Sequence, residues 1–201
     1  VSLESELLNG TVDASVESNN LNLNKLSLQV LLDNLSLELL PIVTKDYSMN
    51  LGGQLRADSA LKLNREKIVK DSSGTINLSI DNFSIQDLNY QGIDAPSLLF
   101  SDARLSLKIK NGKATIQEGS FISDSIGVEI AGDIILKKNF ARSVVKLTLT
   151  ITIGEEFKLI AKMIPQLKNG KISEDKYKVN IIGTIGSPRI KKYRTPPKTP
   201  P

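Results

Sequence analysis

Strict alternation of apolar and polar residues is the feature that most limits what this chain can become. Across residues 145–153 five apolar side chains, Val145, Leu147, Leu149, Ile151 and Ile153, are separated by Lys and Thr. Successive side chains of a strand point to opposite faces, so such a run predicts a strand with one apolar and one wet face. The same period recurs at 12–16, 61–63, 76–80 and 105–109. Ile126, Val128, Ile130, Gly132, Ile134 and Leu136 hold even parity and predict one long strand whose glycine marks a bend.

Turn chemistry separates these runs. Asn111-Gly112 between two alternating segments predicts a type I′ hairpin. Further turns are expected at 71–74 and 123–125, and residues 137–142 close a hairpin into the 143–153 strand. Glycines recur at Gly53, Gly74, Gly92, Gly112 and Gly132, at spacings of 21, 18, 20 and 20. A period near 20 matches two short strands plus turns, that is, one hairpin per repeat. Phe157, Ile160, Ala161 and Ile164 fall at helical spacing, which predicts a short amphipathic helix near 155–168, interrupted at Pro165 and ended by Asn169-Gly170. The dense apolar stretch around 35–46 reads as a strand entering a turn or as a short helix near 38–46 beginning at Pro41; the helix is the favoured reading. The expected fold is mainly β: an elongated, curved antiparallel sheet of repeated hairpins, groove-like or taco-like, forming one domain over 1–190. Residues 191–201 make a Pro-rich basic tail, expected to be disordered.

Composition removes several chemistries. There is no His and no Cys, which excludes imidazole bases, thiolate nucleophiles and zinc–thiolate sites. The acids follow no catalytic spacing, and Glu155-Glu156 is explained by the dipole of a helix start. No phosphate-binding or calcium loop is present, so no catalytic residue, cofactor or metal site is expected. The chain holds 26 basic and 22 acidic residues, but five of the basic ones lie in 189–201, which has no acid. The rest therefore carries a net charge of −1, and no basic surface for nucleic acid is expected. No apolar run is long enough to span a membrane.

What remains is the apolar face. A row of Leu, Ile and Val on one side of a sheet must be covered by a second layer, by a partner, or by lipid. The best-defined residues of that face are Val145, Leu147, Leu149, Ile151 and Ile153, facing Val128, Ile130, Ile134 and Leu136 across a hairpin. They are candidates for either a filled core or an open groove. A charge placed there, as in Leu149→Asp, should unfold a packed core but spare an open groove while weakening its binding.

Two phrases carry a resemblance: Leu35-Ser-Leu-Glu-Leu-Leu-Pro-Ile-Val43 and Tyr47-Ser-Met-Asn-Leu-Gly-Gly-Gln-Leu55, followed by Leu61-Lys-Leu63. They resemble the AsmA-like superfamily. Further on stand Leu105-Ser-Leu-Lys-Ile-Lys-Asn-Gly-Lys113 and Gly127-Val-Glu-Ile-Ala-Gly132-Asp-Ile-Ile-Leu136. After the long strand and the helix comes Tyr177-Lys-Val-Asn-Ile-Ile-Gly183-Thr-Ile-Gly-Ser-Pro188-Arg189. This order is similar to the type II secretion system protein N (GspN-type) family and covers roughly residues 20–190. The resemblance implies a non-catalytic periplasmic domain, held at the inner membrane by an upstream tether and acting in protein secretion with other secretion-system subunits or envelope proteins. The superfamily at large implies an alternative, a lipid-binding or lipid-transfer groove that takes acyl chains. No catalytic residues carry over, and the basic tail is outside the pattern.

Overall fold

The computed structural model describes residues 2–18, 25–40, 42–43, 47–64, 70–90, 93–164, 167 and 169–192. Its first strands are β1 (Ser2–Leu7), β2 (Gly10–Ser18), β3 (Lys25–Ser36), β4 (Ile42–Val43) and β5 (Tyr47–Asn64). The middle of the chain supplies β6 (Ser73–Tyr90), β7 (Ile93–Asp94), β8 (Leu98–Lys110) and β9 (Lys113–Ser123). Then follow β10 (Ile126–Ile135), β11 (Val144–Ile153), the helix α1 (Lys158–Met163), β12 (Lys176–Thr184) and β13 (Ser187–Lys192). All strands join one antiparallel sheet in the order β1-β2-β3-β5-β6-β8-β9-β10-β11-β12-β13, with β4 beside β5 and β7 beside β6. Each long strand therefore pairs with its neighbours in the chain, and the expected curved sheet of successive hairpins is what forms.

The Asn111-Gly112 turn has φ of 52° and 75° at its two central residues, the left-handed pair that a type I′ hairpin requires. The link before β11 is a single 3-10 turn over Phe140–Arg142, with the Asn139 side chain accepting a hydrogen bond from the Ala141 N–H.

The helix expected near 155–168 forms in pieces: a 3-10 turn, Glu155–Phe157, leads into α1, which breaks after Met163, and Leu167 is helical again ahead of the turn at Asn169-Gly170. Ile164 is already extended, at φ −87° and ψ 105°, because the residue before a proline is pushed out of the helical region. Other expectations need correction. Among the described residues of 38–46 no α-helix forms. One 3-10 turn covers Leu37–Leu39, and Ile42 and Val43 then pair with Met49 and Ser48 of β5, the strand-and-turn alternative. The local apolar density serves a sheet edge there, not a helix face.

The glycine spacing also means something else. Of the recurring glycines only Gly112 lies in a hairpin turn; Gly53, Gly74 and Gly132 lie inside strands, and Gly92 is outside the described residues. β5 and β6 are 18 residues each, so the interval from Gly53 to Gly74 spans one strand-to-strand step and not a whole hairpin. Gly132 has φ 130°, and a Cβ there would run into the carbonyl oxygen of Lys146 on β11. Only glycine lets β10 bend while keeping that close approach. The tail expected to be disordered from 191 starts later, since Lys191 and Lys192 still pair with β12 as the end of β13; 193–201, like Pro41, Pro165 and Lys168, lie outside the described residues.

β-Bulges bend other strands and change their parity. Asp33-Asn34 inserts an extra residue opposite β5 between Leu32 and Leu35, and Asn82-Phe83 does so opposite Gly53, between Asp81 and Ser84. Both asparagines are left-handed, at φ 56° and 52°, a conformation asparagine tolerates better than most residues. Arg56 on β5 sits between the two bulges and pairs with Asp33 at 3.3 Å and Asp81 at 2.8 Å, while also donating to the Asn34 side chain.

Candidate binding face

The ladder registers place one apolar row across ten neighbouring strands. From β2 to β13 it reads Val16, Leu28, Leu61, Gly74, Ile109, Ala114, Ile134, Val145, Gly183 and Pro188, each paired with the next. No polar side chain interrupts it. At a strand spacing of about 4.8 Å this row runs for roughly 40 Å along the sheet. Further rows on the same face contain Leu32, Ala57, Leu78 and Leu105, and Val30, Ile76, Leu107 and Ile116.

Burial divides this face. At one end α1 and its leading 3-10 turn form a lid. Phe157 and Ala161 are 3% and 2% exposed, and with Leu167 they join Leu37, Phe83, Leu98, Phe100, Ile153, Tyr177 and Val179 in a single buried cluster. Phe83 stacks on Phe100 with ring centroids 4.7 Å apart and meets Phe121 edge-on at 6.4 Å. These are favourable offset and edge-to-face arrangements. Ile160 and Ile164 also pack inward, while Leu159 is exposed, so the inward-facing helical residues are those the spacing indicated.

Away from the lid the same face is only partly buried: Ala57, Leu61, Leu63, Ile76, Leu78, Leu105, Leu107, Ile116, Leu147 and Ile181 are all half-buried. A second buried group, Ile109, Ala114 and Val145, lies in the registered row toward the opposite ends of these strands.

The residues singled out from sequence fall on this face as follows. Val128 pairs with Ile151, Ile130 with Leu149, and Ile134 with Val145. Leu147 stands opposite Gly132, and Ile153 opposite Ile126. Leu136 is not brought against β11: the ladder ends at Ile135–Val144, and the Leu136 N–H bonds the Gly112 carbonyl 2.8 Å away. Val145 and Ile153 are buried, Leu149 and Ile151 touch the lid cluster, and Leu147 lies outside it. The aromatic cluster was missed, because the bulges shift Phe83 and Phe100 off the parity of the segments 76–80 and 105–109. Asp-Asn between apolar residues three apart was the available signal.

The other face is polar and tied together across strands. Asn77 donates to Asp58 at 2.9 Å and Ser106 to Asn77 at 2.7 Å. Arg104 pairs with Asp102 and, at 3.6 Å, with Glu118. The Arg104 hydrogen bond holds the Asp102 carboxyl below its usual range, and the hydrogen bond from Lys113, followed by that from Thr115, does the same for Asp133. A shallow depression of about 430 Å³ lies over Arg56, Arg104, Asp58, Asn77 and Glu118, but both arginines there are already paired with acids. Among the described residues no three of His, Cys, Asp and Glu are grouped to hold a metal ion. No described helix is long and apolar enough to cross a membrane.

No family model, curated protein or solved structure matches this chain.

Proposed function

We propose that this chain is a non-catalytic component of the cell envelope whose working surface is the apolar face of its sheet. In this reading it is periplasmic, held at the inner membrane by a tether upstream of residue 1, and engages other secretion-system subunits, as the resemblance to type II secretion protein N implies. The observation that carries the reading is the apolar face of the sheet, continuous in one row across ten strands, covered by the lid near one end of the strands and half-buried between. A face that needs covering and is covered only in part is a surface built for contact.

A second reading is favoured by the make-up of the row. It is aliphatic, with no aromatic side chain, and so presents a surface that acyl chains match without directional contacts. At roughly 40 Å it also exceeds the length of one acyl chain, about half of the ~30 Å bilayer core. On this view the protein binds or transfers lipid.

One residue separates the two. A photo-crosslinking side chain at Leu147, outside the lid cluster, should yield protein adducts in the envelope under the first reading and lipid adducts under the second. Leu147→Asp should fold, because Leu147 is half-buried and opposite a glycine, and should lose whichever adduct a crosslinker at Ile181, its ladder partner on β12, captures. A folded Leu147→Asp protein with undiminished capture at Ile181 would sink both readings. Secretin and pseudopilin genes beside this one would favour the first.

A further inference from the structure

The two edges of the sheet carry opposite charge. Among the described residues β1 pairs only with β2 and β13 only with β12, so each leaves one side of its backbone unpaired. On β1, Glu4 and Glu6 lie on the polar face, in register with Asp13 and Thr11, while Leu3 and Ser5 stand opposite Ala14 and Val12 on the apolar face. On β13, Arg189 and Lys191 lie on that same polar face, opposite Ile182 and Asn180, while Ile190 meets Ile181 on the apolar one. All four charged residues are exposed, and none is in an ion pair among the described residues.

Direction matters as well as charge. Every step along the sheet from β1 to β13 is antiparallel and there are ten of them, so the two edge strands run the same way. We propose that copies of this chain join head to tail, with β13 of one copy against β1 of the next in a parallel pair that continues the sheet. One register sets Glu4 beside Arg189 and Glu6 beside Lys191, with Ser5 beside Ile190. The two symmetric alternatives are disfavoured by charge: β1 against β1 opposes glutamates, and β13 against β13 opposes Arg189 and Lys191. Lysines and a proline are common ways to blunt an edge against any partner. Blunting needs charge, however, and not opposite signs on the two edges. Pro188 has no N–H to give, so the contact is confined to residues beyond it.

A contact of this kind repeated between copies is heterologous and does not close on itself unless the rotation happens to complete a ring. The twist of roughly 20–25° per strand carries the array round as an open coil. Ile190 of one copy and Leu3 of the next share a face, so the apolar surface would run on between copies. This contact does not depend on what that surface takes, and loss of capture in Leu147→Asp leaves it standing.

The test is sedimentation of the 201-residue chain at low salt over a range of concentrations. The weight-average mass should climb above 22.0 kDa with concentration and fall back in molar salt, where screening is nearly complete within ~3 Å. Glu4→Lys with Glu6→Lys should hold the protein as a monomer, and so should Arg189→Glu with Lys191→Glu. Mixing the two variants should restore association, since each then supplies the edge the other lacks. All four positions are exposed, and unchanged thermal melting checks that the variants fold. A wild-type protein that stays monomeric throughout overturns the proposal. So does association that survives both charge reversals, which would mark pairing through the apolar faces instead.

Discussion

Strands β10, β11 and β12 keep one parity from end to end, whereas β3, β6, β8 and β9 change parity at bulges. In the first group every second residue faces the same side, and the pairs run unbroken from Ile126–Ile153 to Ile135–Val144. In the second, Asp33-Asn34, Asn82-Phe83 and the shift between Phe100 and Asp102 turn the apolar side chains over partway along. The regular strands spread aliphatic residues evenly over a half-exposed surface. The bulged strands gather Phe83, Phe100 and Phe121 under the lid, into a local core that an unbroken ladder of these sequences would leave on both faces. One sheet thus combines a stabilising end with a surface left available, and irregular pairing is what separates the two.

Mutations should show that division in order of size. Phe100→Ala removes the buried ring stacked on Phe83 and should cost about 3–5 kcal/mol in chemical denaturation. Gly132→Val forces a branched side chain into a positive φ against the Lys146 carbonyl, and should cost about 1–3 kcal/mol with loosened β10–β11 amides in hydrogen exchange. Leu147→Ala removes a half-buried side chain and should cost only about 1 kcal/mol by the same denaturation assay. If it costs as much as Phe100→Ala, the mid-strand surface is covered and the division between the regions fails.

The smallest effect concerns acid. The folded state holds Asp133 below its ordinary value of 3.8, chiefly through the hydrogen bond from Lys113. That contribution is complete above the unfolded value and is lost as pH falls through the lower folded one. Asp133→Asn should therefore leave a shallower decline of melting temperature below about pH 4 than the wild type shows.

The regular strands were plain in the sequence because alternation alone specifies them: 145–153 and 126–136 need no knowledge of their neighbours. Asn111-Gly112 was equally direct, since a two-residue left-handed turn leaves few choices of residue. The lid was legible both as a face and in its break, because the inward set Phe157, Ile160, Ala161 and Ile164 follows from periodicity and the break after Met163 from Pro165 acting one residue upstream. The stretch 38–46 misled because short apolar runs fit strand and helix alike, and pairing with β5 decided the matter. The aromatic cluster was hidden because its members come from three strands, brought to one face by insertions whose effect depends on what lies opposite. The charged edges were hidden too, since which strands end a sheet is a property of its whole order.

Because each long strand forms its ladder with those beside it in the chain, and the lidded cluster is where distant strands meet, the rest of the sheet is close to one-dimensional in how its stability is shared. In such an array local order can start at any adjacent pair and spread outward, and each segment borrows its firmness from the next. Protection against amide exchange should then rise from both edges toward the lidded strands rather than report one global opening. Loosening a terminal strand would leave the interior formed. The protein would thus shorten or lengthen by whole strands, as a zip does, without passing through an unfolded chain.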